Sequence, residues 1–224
     1  MPYLTANGTT CIRGKVVMPR TGLWWADLEI QDQDPTPYEG KVTLAFNEGA
    51  FTLQGASLPA RLAPQWGVVM CRVVGGAAGL ATQLPAKAYQ SVTFQLPFLD
   101  LLGACGEAAS PIADPSTLKL PLQFWNRLAG TGARALGALV DPLGLPWRAL
   151  PDGTIWVGPE TYPDSGLTNY VITDTAPQEN ALELKIDTPS IFPGESFQGN
   201  EVSRLEHHIE THQIRTRLWF EDQP

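Results

Sequence analysis

The chain has little of what small secreted or metal-stapled proteins depend on. Three cysteines, Cys11, Cys71 and Cys105, are an odd number spread far apart in 224 residues, without C-x-x-C spacing. That argues against a disulfide framework and against a zinc knuckle. Cys71 lies in an apolar run and reads as a small buried hydrophobe. Basic charge is also scarce, with 15 Lys and Arg against 23 Asp and Glu, a formal net charge of −8. An acidic chain repels phosphate, so tight or sequence-reading DNA binding is not expected. The first ten residues, MPYLTANGTT, have neither the basic nor the apolar region of a signal peptide, and no apolar stretch approaches bilayer-spanning length. Asn7-Gly8-Thr9 matches a glycosylation sequon, which means little without a secretory signal. A reducing cytoplasm is the expected place of synthesis and storage before assembly.

What is present points to strands. Hydrophobic residues make up 43% of the chain, and 21 Gly and 20 Pro fall between short apolar runs, as turns do in a many-stranded fold. Trp24, Ala26, Leu28 and Ile30 alternate with Trp25, Asp27, Glu29 and Gln31, the period of two that marks a strand with one buried face. Val42, Leu44 and Phe46 repeat the pattern, Asn47-Glu48-Gly49 supplies a turn, and Phe51 and Leu53 continue on the returning strand. Residues 67–74 (GVVMCRVV) are apolar on both faces and suit a central strand. A short helix is expected from Pro97 to about Gly103 or Gly106. A broken helical pattern from Phe124 to Val140, interrupted at Gly130-Thr131-Gly132, predicts two helical pieces. Beyond Gly144 the chain returns to strands: a hairpin turning at Pro151-Asp152-Gly153, an alternating stretch over 181–187, and two strands around Thr211-His212-Gln213. The expected fold is mainly β, with two small antiparallel β-barrel-like domains. An N-terminal one spans 1–92, a helical connector 93–144, and a C-terminal β domain completing a tube-like barrel 145–224.

Motifs for chemistry fail on context. Gly130-Thr131-Gly132-Ala133-Arg134-Ala135 has dinucleotide-binding spacing, but a helix-like segment precedes it and no βαβ unit follows. Gly75-Gly76-Ala77-Ala78-Gly79 lacks the Lys-Ser/Thr of a phosphate loop and reads as a turn or bulge. Residues 194–199 (GESFQG) superficially resemble a nucleophile elbow without being G-x-S-x-G. His207, His208 and His212 lie among Glu206 and Glu210. On one continuous strand Glu206, His208, Glu210 and His212 would share a face suited to a metal, whereas adjacent His207 and His208 point oppositely. No catalytic, cofactor-binding or metal-ligating residue is assigned, and metal binding by His207, His208 and Glu210 stays open. The seven tryptophans could offer sugar-stacking platforms or be buried in a core or interface. The acidic excess is confined to residues 151–224, which hold thirteen acids and four bases.

Several segments together resemble a known family. WRALPDGTIWVG (147–158), PGESFQG (193–199), VSRLEHHI (202–209) and IRTRLWFE (214–221) are similar to bacteriophage tail proteins, in particular the baseplate hub family that also supplies the base of type VI secretion spikes. RGKVVMPRTGLWWADLEI (13–30) and VVGGAAGL (73–80) are consistent with it. The resemblance implies a ring-forming virion tail protein, usually a homotrimer, adapting a sixfold tail tube to a threefold spike. Its implied partners are tail tube, spike and tape-measure proteins, and DNA would pass the acidic surface without specific binding. The chain is short for a hub with two tube-like domains, implying a minimal hub or one half of a split one. The alternative is a receptor- or glycan-binding tail tip module. A cell-wall hydrolase is the weakest reading, because no acid, nucleophile or metal triad is recognisable.

Overall fold

The computed structural model describes residues 3–186, 190–211 and 213–221. The first six strands are β1 (Leu4–Ala6), β2 (Thr9–Pro19), β3 (Trp25–Ile30), β4 (Lys41–Phe46), β5 (Phe51–Gln65) and β6 (Val68–Gly75). They pair in the order β1-β4-β5-β6-β3-β2, and β2 pairs back to β1, so an antiparallel barrel closes. The sequence alternation sets its inside. Ala26, Leu28 and Ile30 of β3 and Val42, Leu44 and Phe46 of β4 are buried, while their neighbours are half-buried or exposed. β6 is central, paired to β5 and β3, with Val69, Cys71 and Val73 inward. Its other face, carrying Met70 and Arg72, is half-buried.

A middle region leans on the barrel: β7 (Gln83–Leu84), β8 (Lys87–Thr93), α1 (Gln95–Cys105), α2 (Pro115–Leu118), β9 (Pro121–Arg127), β10 (Gly130–Thr131) and α3 (Gly132–Val140). The two helical pieces expected between Phe124 and Val140 are corrected to one strand and one helix. Residues 121–127 pair with β8 in register from Lys87↔Arg127 to Thr93↔Pro121. Phe124 and Trp125 are aromatic and fit a pleated surface, where Trp125 meets Tyr89 with ring centroids 5.4 Å apart. The four-residue spacing of Phe124 and Leu128 fits a helix only by coincidence. The helix begins where Thr131 caps it, its hydroxyl accepting from Arg134 N at 3.3 Å.

The remaining strands are β11 (Trp147–Ala149), β12 (Ile155–Val157), β13 (Val171–Ala176), β14 (Ala181–Lys185), β15 (Ser196–Phe197), β16 (Asn200–Glu210) and β17 (Gln213–Phe220). β11 and β12 form the expected hairpin around Pro151-Asp152-Gly153. β2 is long enough to serve two neighbours on one edge. Thr9 and Thr10 close the barrel onto β1, while Arg13–Pro19 pair with β16. The sheet then runs on through β17, β14 and β13. Leu205, His207 and Ile209 of β16 join the same apolar core as the barrel, as do Phe98, Leu101, Leu136 and Leu139 of the helices. No helix among the described residues is long and apolar enough to cross a membrane.

Candidate functional site: assembly surfaces and a pocket beside the β11–β12 hairpin

The glycine-rich turn after β6 is filled from within. Glu107 is 7% exposed, and its carboxylate accepts from Ala77 N and Gly79 N, both at 2.8 Å. These are backbone donors of the kind that phosphate loops aim at a ligand, here satisfied by a side chain. A Cβ on Gly79 would overlap the carbonyl oxygen of Cys105, which explains the glycine. The Gly130–Ala135 motif resolves similarly. A strand precedes the helix, contrary to the helix-like segment expected there, but β10 pairs antiparallel with β7 and no βαβ unit is present. A Cβ on Gly132 would overlap the Cys105 sulfur, so this glycine lets α3 approach α1. Residues 194–199 form a loop and the start of a tight hairpin between β15 and β16, in which Gln198 and Gly199 both have positive φ.

The histidines separate. His207 faces the core, fully buried, with Nδ1 2.8 Å from Thr216 Oγ1 and its ring edge-on to Phe46. Burial pushes its pKa down to about 4, with the neighbouring His208 charge adding to the effect. His208 faces outward and meets Glu206 at 2.6 Å. Glu206, largely buried, also binds Lys15 at 2.6 Å and Arg204 at 2.9 Å. Burial alone would raise its pKa, but the hydrogen bonds from Lys15 and His208 prevail and lower it. Glu210 lies near Arg215 and bonds Gln213. No cluster of three potential metal ligands occurs among the described residues, and His212 lies outside them. The thiols of Cys11 and Cys71 are buried and pushed up to about 12 and about 11, chiefly by desolvation, so neither is a ready nucleophile.

The acidic last third is partly neutralised by bases drawn from elsewhere in the fold. Glu160 pairs with Arg148, Glu206 with Lys15, and Glu221 with Arg20. Glu179 and Glu183 meet Arg217 and Arg215 of β17. Of the tryptophans, Trp24 and Trp147 are buried. Trp156 stacks under Arg148 at 4.3 Å, and Trp219 lies between Arg204 and Arg217. Trp66 alone is fully presented, 96% exposed at the tip of the β5–β6 hairpin. Other exposed large apolar side chains concentrate between α1 and β10, at Leu96, Leu99, Ile112, Leu120, Phe124 and Leu128. Val171 and Ile172 are exposed on β13, which pairs only with β14 among the described strands. Exposed apolar side chains and an unpaired strand edge are the features that interfaces cover.

One concavity is well formed. Met18, Trp24, Trp156 and Phe192 contribute apolar wall to a pocket of about 380 Å³ between the end of β2, the β11–β12 hairpin and the loop before β15. Its charged groups are Arg148, Glu160 and Glu195. Arg148 and Glu160 form a two-point ion pair, the longer contact 3.3 Å. Burial raises the Glu195 pKa despite its bond from Phe192 N at 2.9 Å and the nearby Arg148 charge. The sequence reading missed this trio. Arg148 and Glu160 are twelve residues apart and meet only because the hairpin folds back, and Glu195 arrives from a distant loop.

No protein-family profile and no curated protein sequence matches the chain. Solved structures do. A tail protein from Neisseria meningitidis MC58 matches with a TM-score of 0.66 and 13% identity, covering 99% of this chain and 96% of its own. A 43 kDa tail protein of prophage MuSo2 from Shewanella oneidensis matches with a TM-score of 0.63 and 9% identity, covering 96% and 95%. An E. coli component of the type VI secretion system, described as similar to bacteriophage T4 tail proteins, gives 0.64 and 11%, covering 98% of this chain and 77% of that one. At such identities the likeness is one of fold, and it agrees with the resemblance read from the residues: the chain is built on the fold of phage tail and type VI secretion tail-like proteins.

Proposed function

We propose that the protein is a structural, non-catalytic component of a phage-type tail. In this reading it is a baseplate hub that assembles as a homotrimeric ring in the host cytoplasm, joins tail tube to central spike, contacts the tape-measure protein and lets DNA pass. The observation that carries the reading is the near end-to-end fold likeness to tail proteins. The exposed apolar side chains and the edge of β13 left unpaired among the described strands support it, since ring closure needs such surfaces. Light scattering on the purified chain is expected to give the mass of three chains, and particles lacking the protein are expected to lack the spike. A stable monomer that never enters tail particles would overturn the reading.

Trp66 favours one alternative, a receptor- or glycan-binding tip module, because a fully exposed indole is a stacking platform. Quenching of tryptophan fluorescence by sugars, lost in Trp66→Ala, would support it over the hub.

A further inference from the structure

The turn between β5 and β6 has two residues, Trp66 and Gly67, with Gln65 paired to Val68 across it. Both turn residues have positive φ, 54° and 84°. That is the hairpin turn for which Asn-Gly is the preferred chemistry, and a bulky residue at its first position is strained. The indole is also 96% exposed, so packing within its own chain does not offset the strain. A strained and solvated tryptophan calls for a partner.

The same chain carries a matching hole. Along the β3–β6 pairing, Ile30 meets Val69 near the Trp66 tip, and Trp25 meets Val74 at the far end. The pocket walled by Met18, Trp24 and Trp156 lies at that far end. Its volume of about 380 Å³ accommodates an indole, and its lining is mainly apolar. Its charges are one cation, Arg148, and two carboxylates, Glu160 and Glu195. The hairpin arm over residues 58–68 carries a single charge, Arg61, of the complementary sign.

We propose that Trp66 of one copy seats in this pocket of a second copy, with Arg61 facing the acidic side. The inference rests on the assembly reading above and names its contact. Knob and hole occupy opposite ends of the barrel, so the contact is heterologous and repeats from copy to copy, closing a ring where its rotation returns to the first copy.

The test mixes two variants with one added cysteine each, Trp66→Cys and Ile112→Cys, under mild oxidation. Ile112 lines the pocket and is 70% exposed, whereas the three native cysteines are buried. A disulfide-linked dimer is expected from the mixture and from neither variant alone. Trp66→Asn supplies the residue the turn prefers, so it is expected to raise Tm while reducing the scattering mass to one chain. If Trp66→Asn keeps the wild-type mass and the mixture gives no cross-link, the contact is wrong while the assembly reading stands. A Trp66→Cys dimer formed on its own, or protection of Trp66 only by another tail protein, also overturns it. A monomeric wild type overturns both.

Discussion

At the scale of single residues, the structure gives His207 and Glu107 buried roles. His207 is neutral in the core and would have to be charged at the expense of burial, so its pKa falls from 6.5 to about 4. The unfolded chain therefore binds the proton first, and stability is expected to drop as pH falls from about 6.5 towards 4, by on the order of 3 kcal/mol. Urea midpoints across that window check this. His207→Leu combined with Thr216→Val removes both bonded partners and should flatten the curve down to about pH 4.5. Below that, Glu206 takes over, because its lowered pKa contributes stability that is lost only as its carboxylate protonates. Glu107 is the second case. Glu107→Ala strips the acceptor from Ala77 N and Gly79 N and is expected to cost about 2–4 kcal/mol in denaturant titration, whereas Glu107→Gln should cost less. Neither role was legible in the sequence. The sequence places His207 opposite the face of Glu206 and His208 but does not tell which face is inward, and the glycine-rich turn gives no hint that its anion is built in.

At the scale of elements, hairpins carried the strongest local signal, and their readings differ instructively. The β11–β12 turn was evident because Asp152 and Gly153 have one plausible use: Asp152 accepts from Thr154 N at 2.9 Å and Gly153 has positive φ. Asn7-Gly8 is an equally strong turn signal that also matches a sequon. It forms the two-residue turn between β1 and β2, and the Asn7 amide donates to Pro37 O at 2.8 Å and accepts from Thr43 N at 2.8 Å. The sequence suggests a helix over β9 because apolar spacing over a few residues fits either period until pairing with β8 decides. The hairpin's tie to the following loop is testable. Arg148 and Glu160 are mostly buried, so Arg148→Met strands a carboxylate and is expected to lower stability by about 3–5 kcal/mol. The double change Arg148→Met, Glu160→Met should recover most of that loss, and a double-mutant cycle on unfolding free energies measures it.

At the scale of the whole molecule, the acidic third supplies Glu160 and Glu195 to the pocket, and its exposed carboxylates bear on the proposed assembly. Asp174 and Glu201 are exposed, and in the proposed ring they are expected to line the lumen. Changing both to Lys is expected to make assembled particles retain DNA, more so at low salt, in a DNA-release assay. Finding these acids on the outer rim of the ring would sink the conduit idea. The sequence by itself determined the strand-rich class, the inward faces of β3 and β4, and the final pair of strands, because a period of two needs only local information. Tertiary structure decided that β2 divides one edge between β1 and β16, so that one sheet carries both the closed barrel and the last strands. It also decided that Arg148, Glu160 and Glu195 share a pocket and that Trp66 stands away from it at the other end of the barrel. Pairing partners and pocket walls come from residues far apart in the chain. Their meeting depends on packing the whole core at once, and no local period encodes it.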